Sequence, residues 1–127
     1  MGPLTPILDD HFRRPRRVGR LDGATGVGRA ENAACGDVIE VFCRVEDGRL
    51  LDATFLAQGC PATIAFASFV LERAAGSRIE EVRVLEPDAQ MAAAEETRST
   101  RRHGAAMALR ALIEACDDTA PNAIQSD

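Results

Sequence analysis

The chain has 127 residues, 46% of them hydrophobic and 28% charged, which suits one globular domain with a modest core. A net charge of −5, with no Trp and no Tyr, argues against a nucleic-acid role and leaves no aromatic platform for bases. Apart from two histidines every basic side chain is Arg, which removes Schiff-base lysine chemistry and the phosphate-binding lysine of a P-loop.

In chain order, Leu4 to Phe12 reads as a brief helical turn broken by Pro3 and Pro6. The compact cluster Arg13-Arg14-Pro15-Arg16-Arg17 follows. It reads as a solvated turn fixed by Pro15, with contact to an acidic partner as the functional alternative. Residues 18–34 are rich in Gly and small side chains and read as a flexible strand or loop. Asp37 to Glu46 alternates with period two, placing Ile39, Val41, Cys43 and Val45 on one face. Glu46-Asp47-Gly48-Arg49 supplies a turn. Leu50 to Gln58 is the partner strand, with Leu51, Ala53, Phe55 and Ala57 sharing a face. Pro61 then starts a helix that Gly76 ends. Ile79 to Val84 is a short element, Glu86 to Glu96 is helical after Pro87, and Arg101 to Cys116 forms the last helix. Strands first and helices after predict an α+β fold, with helices packed on one face of a small antiparallel sheet. The expected organisation is a single domain over 1–118 and a flexible C-terminal tail over 119–127.

No secretory pattern opens the sequence and no apolar run reaches the length of a membrane span. A cytoplasmic protein without membrane or nucleic-acid partners is the expectation. In that reducing compartment Cys35, Cys43, Cys60 and Cys116 are expected as metal ligands or core residues rather than disulfides.

Two of the four stand in unusual settings. Cys60 lies between Gly59 and Pro61 at a helix start, where unpaired amides favour a thiolate. Cys35 precedes Gly36 and Asp37 in a loop entering the first good strand. His103 opens the last helix, followed by Gly104, a residue that permits close approach. Two thiolates, a carboxylate and an imidazole form a set suited to zinc or iron–sulfur chemistry, although the spacing is not that of a zinc finger. Taken singly, each has a plainer reading: a small buried thiol, a capping carboxylate, a surface histidine. Cys43 alternates with core residues, and Cys116 lies too far along its helix from His103 to share a site. His11 reads as structural or exposed. Four protein ligands would leave no open position and no separate general base, so a hydrolytic zinc enzyme is disfavoured.

Taken together, these residues resemble the NifU/IscU-like iron–sulfur cluster scaffold family. The matching stretches are His11-Phe12-Arg13-Arg14-Pro15-Arg16-Arg17-Val18-Gly19, Ala34-Cys35-Gly36-Asp37-Val38, Asp52-Ala53-Thr54-Phe55 and Gln58-Gly59-Cys60-Pro61-Ala62-Thr63-Ile64-Ala65. The resemblance runs from about His11 to Asp117. It implies a three-stranded sheet with helices on one side, and a non-catalytic scaffold that carries a transient [2Fe–2S] cluster or Zn2+. It implies a cysteine desulfurase as sulfur source and apo iron–sulfur proteins as recipients. The family's two cysteines and aspartate fall on Cys35, Cys60 and Asp37. Its third cysteine, which follows the histidine, falls on Gly104, and the Leu-Pro-Pro-Val-Lys chaperone motif is missing. Cys35, Asp37, Cys60 and His103 remain as four expected ligands. The missing cysteine keeps two alternatives open, a zinc-containing sulfur relay and a degenerate binding module, and is compatible with a cluster bridging a homodimer.

Overall fold

The computed structural model describes residues 3–125, with side chains as far as Asp118. The order is α1 (Pro6–Arg13), β1 (Gly26–Asn32), β2 (Asp37–Glu46), β3 (Arg49–Gln58), α2 (Pro61–Ala74), α3 (Ile79–Arg83), α4 (Pro87–Ala93), a 3-10 turn (Ser99–Arg101) and α5 (Arg102–Gln125). The strands form one antiparallel meander in the order β1-β2-β3. Its inner face presents Ala30, Ile39, Val41, Cys43, Ala53 and Phe55, all buried. The helices cover that face, with α5 along β1 and α2 over β3, as the α+β expectation had it.

Pro6 starts α1 rather than breaking it. Thr5 caps the helix by accepting the Leu8 N–H, and Pro6 takes the first helical position, where no amide is needed. Of the two readings of the Gly-rich stretch before Cys35, strand or loop, the structure takes the first over Gly26–Asn32, which is the regular strand β1. Its glycine content has a packing reason: a Cβ on Gly28 would fall on Ala111 O and Ala115 N of α5. The helix therefore lies directly on the strand backbone, helped by Ala108, Ala111 and Ala115, all fully buried.

Strict alternation also misplaces Leu51. A register shift at Arg44/Val45 pairs Val45 with Leu50 and leaves Leu51 as the extra residue of a β-bulge. Leu50 is consequently buried and Leu51 is 41% exposed. The last helix extends beyond Cys116, through Pro121, to Gln125; residues 126–127 of the expected tail lie outside the described residues. The basic cluster is paired within the molecule: Arg13 with Asp9, Arg14 and Arg16 with Asp10, and Arg17 with Asp52. These pairs favour the solvated-turn reading over contact with an acidic partner. Among the described residues no helix is long and apolar enough to cross a membrane.

Candidate metal centre

One end of the sheet gathers the four expected side chains. Asp37 is the first residue of β2, Cys60 is the N-cap of α2 directly after β3, and His103 stands in the first turn of α5. Cys35 sits on the β1–β2 turn, where its N–H and that of Gly36 bond Asn32 O. The antiparallel register sets Val38 opposite Gln58, which brings Asp37 beside Gly59 and Cys60. Gly59 has φ +140°, and a Cβ there would fall on the Asp37 carboxylate. Only glycine lets the chain turn from β3 into α2 in contact with Asp37.

Asp37 is the hub. It is only 1% exposed. Its Oδ1 accepts the Cys60 N–H at 3.0 Å, and its Oδ2 accepts the Thr63 hydroxyl at 2.8 Å. Burial pushes its carboxyl up, but the Thr63 hydroxyl, the Cys60 N–H and the Cys35 and Cys60 side chains together pull it below the ordinary value. The Cys60 sulfur lies 3.5 Å from Oδ2 and 3.2 Å from Thr63 Oγ1. Cys35 is exposed, and its thiol is held above the ordinary value by desolvation of the sulfur and by the Asp37 carboxylate, against the Asp37 N–H, which lowers it.

The histidine geometry is informative. His103 Nδ1 lies 2.9 Å from Thr100 O, and a carbonyl oxygen can only accept, so this nitrogen carries a proton. The other ring nitrogen faces Asp37 Oδ2 at 3.3 Å. In the neutral ring two acceptors then face each other. Such a pair needs either a proton on Nε2 or a cation beside both atoms. Donor atoms of Cys35, Asp37 and His103 all lie within 4.8 Å of one another. Donors about 2.0–2.3 Å from a shared zinc ion would fit within that spacing. A ligating histidine also ordinarily donates its second nitrogen to a carbonyl, as His103 does to Thr100.

Three of the four expected side chains, Cys35, Asp37 and His103, therefore come together, while Cys60 stands apart from the trio and touches it through Asp37. The sequence reading missed Thr63, which lies within a quoted stretch without being assigned a role. Its position three residues after the N-cap Cys60 is the spacing at which a side chain reaches back over a helix start. The remaining cysteines and His11 lie elsewhere. Cys43 and Cys116 are buried in the core. His11 is buried between α1 and α2, with Nδ1 2.7 Å from Ser68 Oγ and its ring edge-on to Phe69. Ser68 also accepts the Arg16 N–H, so this cluster ties the N-terminal segment to α2.

Fold and site together define a small α+β protein that presents two thiols, a carboxylate and an imidazole at the open end of a three-stranded sheet. Residues 5–122 match the family described as the NifU-like N-terminal domain, and the chain belongs to that family. It is 38% identical over 109 residues to the iron–sulfur cluster assembly scaffold protein IscU 1 of Archaeoglobus fulgidus, covering 86% of this chain and 71% of that one. It is 41% identical over 73 residues to the scaffold protein IscU of Thermotoga maritima, covering 58% and 51%. In three dimensions it resembles the N-terminal part of a NifU-like protein from Brucella abortus, with a TM-score of 0.79 at 17% identity, covering 91% of this chain and 93% of that one.

Proposed function

We propose that this chain is a scaffold for iron–sulfur cluster assembly, with the cluster as its transient cargo at Cys35, Asp37, Cys60 and His103. The supporting observation is the facing pair of His103 Nε2 and Asp37 Oδ2 with the Cys35 thiol beside them. Two sulfurs, a carboxylate and an imidazole can carry a [2Fe–2S] cluster by mixed ligation, since histidine replaces cysteine on iron in known centres. The same set suits a single zinc ion. Its position at loop ends and helix starts lets a delivering or receiving protein reach it. The family membership supports a cysteine desulfurase as sulfur donor, apo iron–sulfur proteins as recipients, and a binding role rather than catalysis.

Asp37 has a particular part in this reading. A carboxylate is a harder and weaker match for cluster iron than a thiolate, and would keep the cargo releasable. Anaerobic purification followed by iron, zinc and acid-labile sulfide analysis tests the proposal. Iron and sulfide in equal amounts, with charge-transfer absorption, is the expected result. Asp37→Ala should then hold its cluster longer, and faster loss would count against the carboxylate's role.

Zinc without sulfide would favour a second reading, a zinc protein that accepts sulfur from a desulfurase on Cys35 or Cys60. The packing around Gly104 motivates it: a Cβ there would sit 3.3 Å from Phe66 Cδ2 and 3.4 Å from Thr63 Cα. A side chain at 104 would therefore need the Phe66 ring to give by a few tenths of an ångström. An added sulfur on Cys35 or Cys60 after incubation with desulfurase and cysteine would support that reading, and an unmodified protein would remove it.

A further inference from the structure

Among the described residues Thr63 is the one side chain that hydrogen-bonds both Asp37 and Cys60, donor groups carried by different elements. Its hydroxyl donates to Asp37 Oδ2 at 2.8 Å, and the same oxygen lies 3.2 Å from Cys60 Sγ. It is fully buried in the first turn of α2, and its own N–H bonds the Cys60 carbonyl at 3.0 Å, so its position is fixed by the helix rather than by solvent. A hydroxyl carries one proton and two lone pairs. It therefore donates to one neighbour at a time: to the carboxylate at the short distance seen here, or, after a rotation about its C–O bond, to the sulfur. While it donates to Asp37, its free lone pair faces the Cys60 thiol.

We propose that Thr63 is a positioning residue of the metal centre: it holds the Asp37 carboxylate toward Cys35 and His103 until metal binds, and then, with the metal holding the carboxylate in its place, turns its hydroxyl proton onto the Cys60 sulfur. Groups that hydrogen-bond the ligands of a site orient them and typically change metal affinity about 10- to 100-fold when removed. Hydrogen bonds to a ligating sulfur also withdraw charge from it and so tune the metal it carries. No other hydroxyl among the described residues bonds either group. The inference rests on the metal-centre reading above and deepens it.

The test is anaerobic titration of the full chain with Co2+, followed by absorption spectroscopy and competition with Zn2+, for the natural protein and for Thr63→Val, Thr63→Ser and Thr63→Ala. Valine keeps the shape and deletes the hydroxyl. It should bind Co2+ about 10- to 100-fold more weakly. Its thiolate-to-cobalt absorption should move to longer wavelength, because a sulfur without its hydrogen bond gives up charge more readily. Serine keeps the hydroxyl and loses the methyl, and should restore both affinity and band position. A merely structural threonine would predict the reverse order, with serine the more damaging change to packing and the band unmoved. If the valine variant does not fold, the comparison of serine with alanine isolates the hydroxyl in the same way. Affinity within threefold of the natural protein in the hydroxyl-free variants, with an unmoved band, overturns the proposal for Thr63 and leaves the centre standing. Failure of the natural protein to bind Co2+ or Zn2+ overturns the metal-centre reading itself.

Discussion

Two stretches of α5 meet the same chemical group in opposite conditions. At its start His103 meets Asp37, Cys35 and, through Asp37, Cys60, with Cys35 exposed and Cys60 half-buried. Toward its other end Cys116 meets Cys43 of β2, at 2% and 0% exposure. The neighbouring Cys116 thiol together with burial pushes the Cys43 thiol far up. A thiol among Ala, Val and Leu, with another thiol as its polar neighbour, behaves as a small hydrophobe. A thiol at a turn, beside an ionised carboxylate and an imidazole, has the neighbours a metal ligand needs. Residue type does not separate the two pairs; burial and the neighbouring charge do.

Several changes would break that contrast or sharpen it. The largest effect is expected at the turn that feeds the His103 end, where Glu96 and Arg101 form a buried ion pair at 2.9 Å. Glu96→Ala leaves the guanidinium without that carboxylate and should cost about 3–5 kcal/mol, read by urea unfolding, with metal binding weakened because His103 follows directly. The pair also gives the fold an acid limit. Burial pushes the Glu96 carboxyl up, but the Arg98 N–H and the Arg101 guanidinium more than offset this and hold it below its ordinary value of 4.5. Its contribution is therefore complete above about pH 4.5 and is lost as pH falls through the depressed value. Glu96→Gln should flatten that part of the stability–pH curve. A curve of unchanged slope below pH 4.5 would show that the pair does not set the limit.

A smaller loss is expected midway along α5. Gly28→Ala places a methyl where Ala111 O and Ala115 N now sit, and should cost about 1–3 kcal/mol through overpacking. Because the helix lies on β1 at that point, the adjacent Cys116 should gain reactivity toward alkylating agents, and Co2+ binding at the start of the helix should weaken. Intact Co2+ affinity with lowered stability would show that the start of α5 is mechanically independent of its contact with Gly28.

Cys43→Ala should cost about 1 kcal/mol, the scale of one buried heavy atom, and leave metal binding unchanged. Loss of metal on that substitution would mean that the core thiols support the site. The mildest test needs no mutation. Iodoacetamide on the native chain should modify Cys35 and Cys60 and spare Cys43 and Cys116, with mass spectrometry assigning the sites. Bound Zn2+ should protect the first pair and leave the second as it was.

Much of this arrangement is legible in the sequence. Period-two alternation gives β2, and Pro61 after Gly59-Cys60 gives the start of α2, because both follow from local sterics and hydrogen bonding. The unusual settings of Cys35, Asp37, Cys60 and His103 single them out before any fold is known. Other features are hidden, each for a stated reason. Gly28 is required because a helix lies on the backbone of β1, and a glycine-rich run by itself leaves strand and loop open. Leu51 points outward because a bulge in the partner register reverses the alternation, and register is a relation between strands. The arginine cluster is paired because α1 places Asp9 and Asp10 one turn before it and the edge of β3 brings Asp52 to Arg17.

What the sequence determined by itself is therefore most of the elements, the one-sided packing of helices on a sheet, and the choice of four side chains as candidates for a site. These follow from periodicity and turn residues, which act over a few positions. The tertiary structure alone decided which atoms meet: Asp37 as the hub, Thr63 bonded to both it and Cys60, His103 turned by Thr100 to face the carboxylate, and Cys43 joined to Cys116 in the core. Those contacts join residues far apart in the chain. They depend on how closely α2 and α5 settle onto the sheet, and that distance is set by packing at Gly28, Gly59 and Gly104, where the absence of a Cβ lets neighbouring backbone or side chains approach.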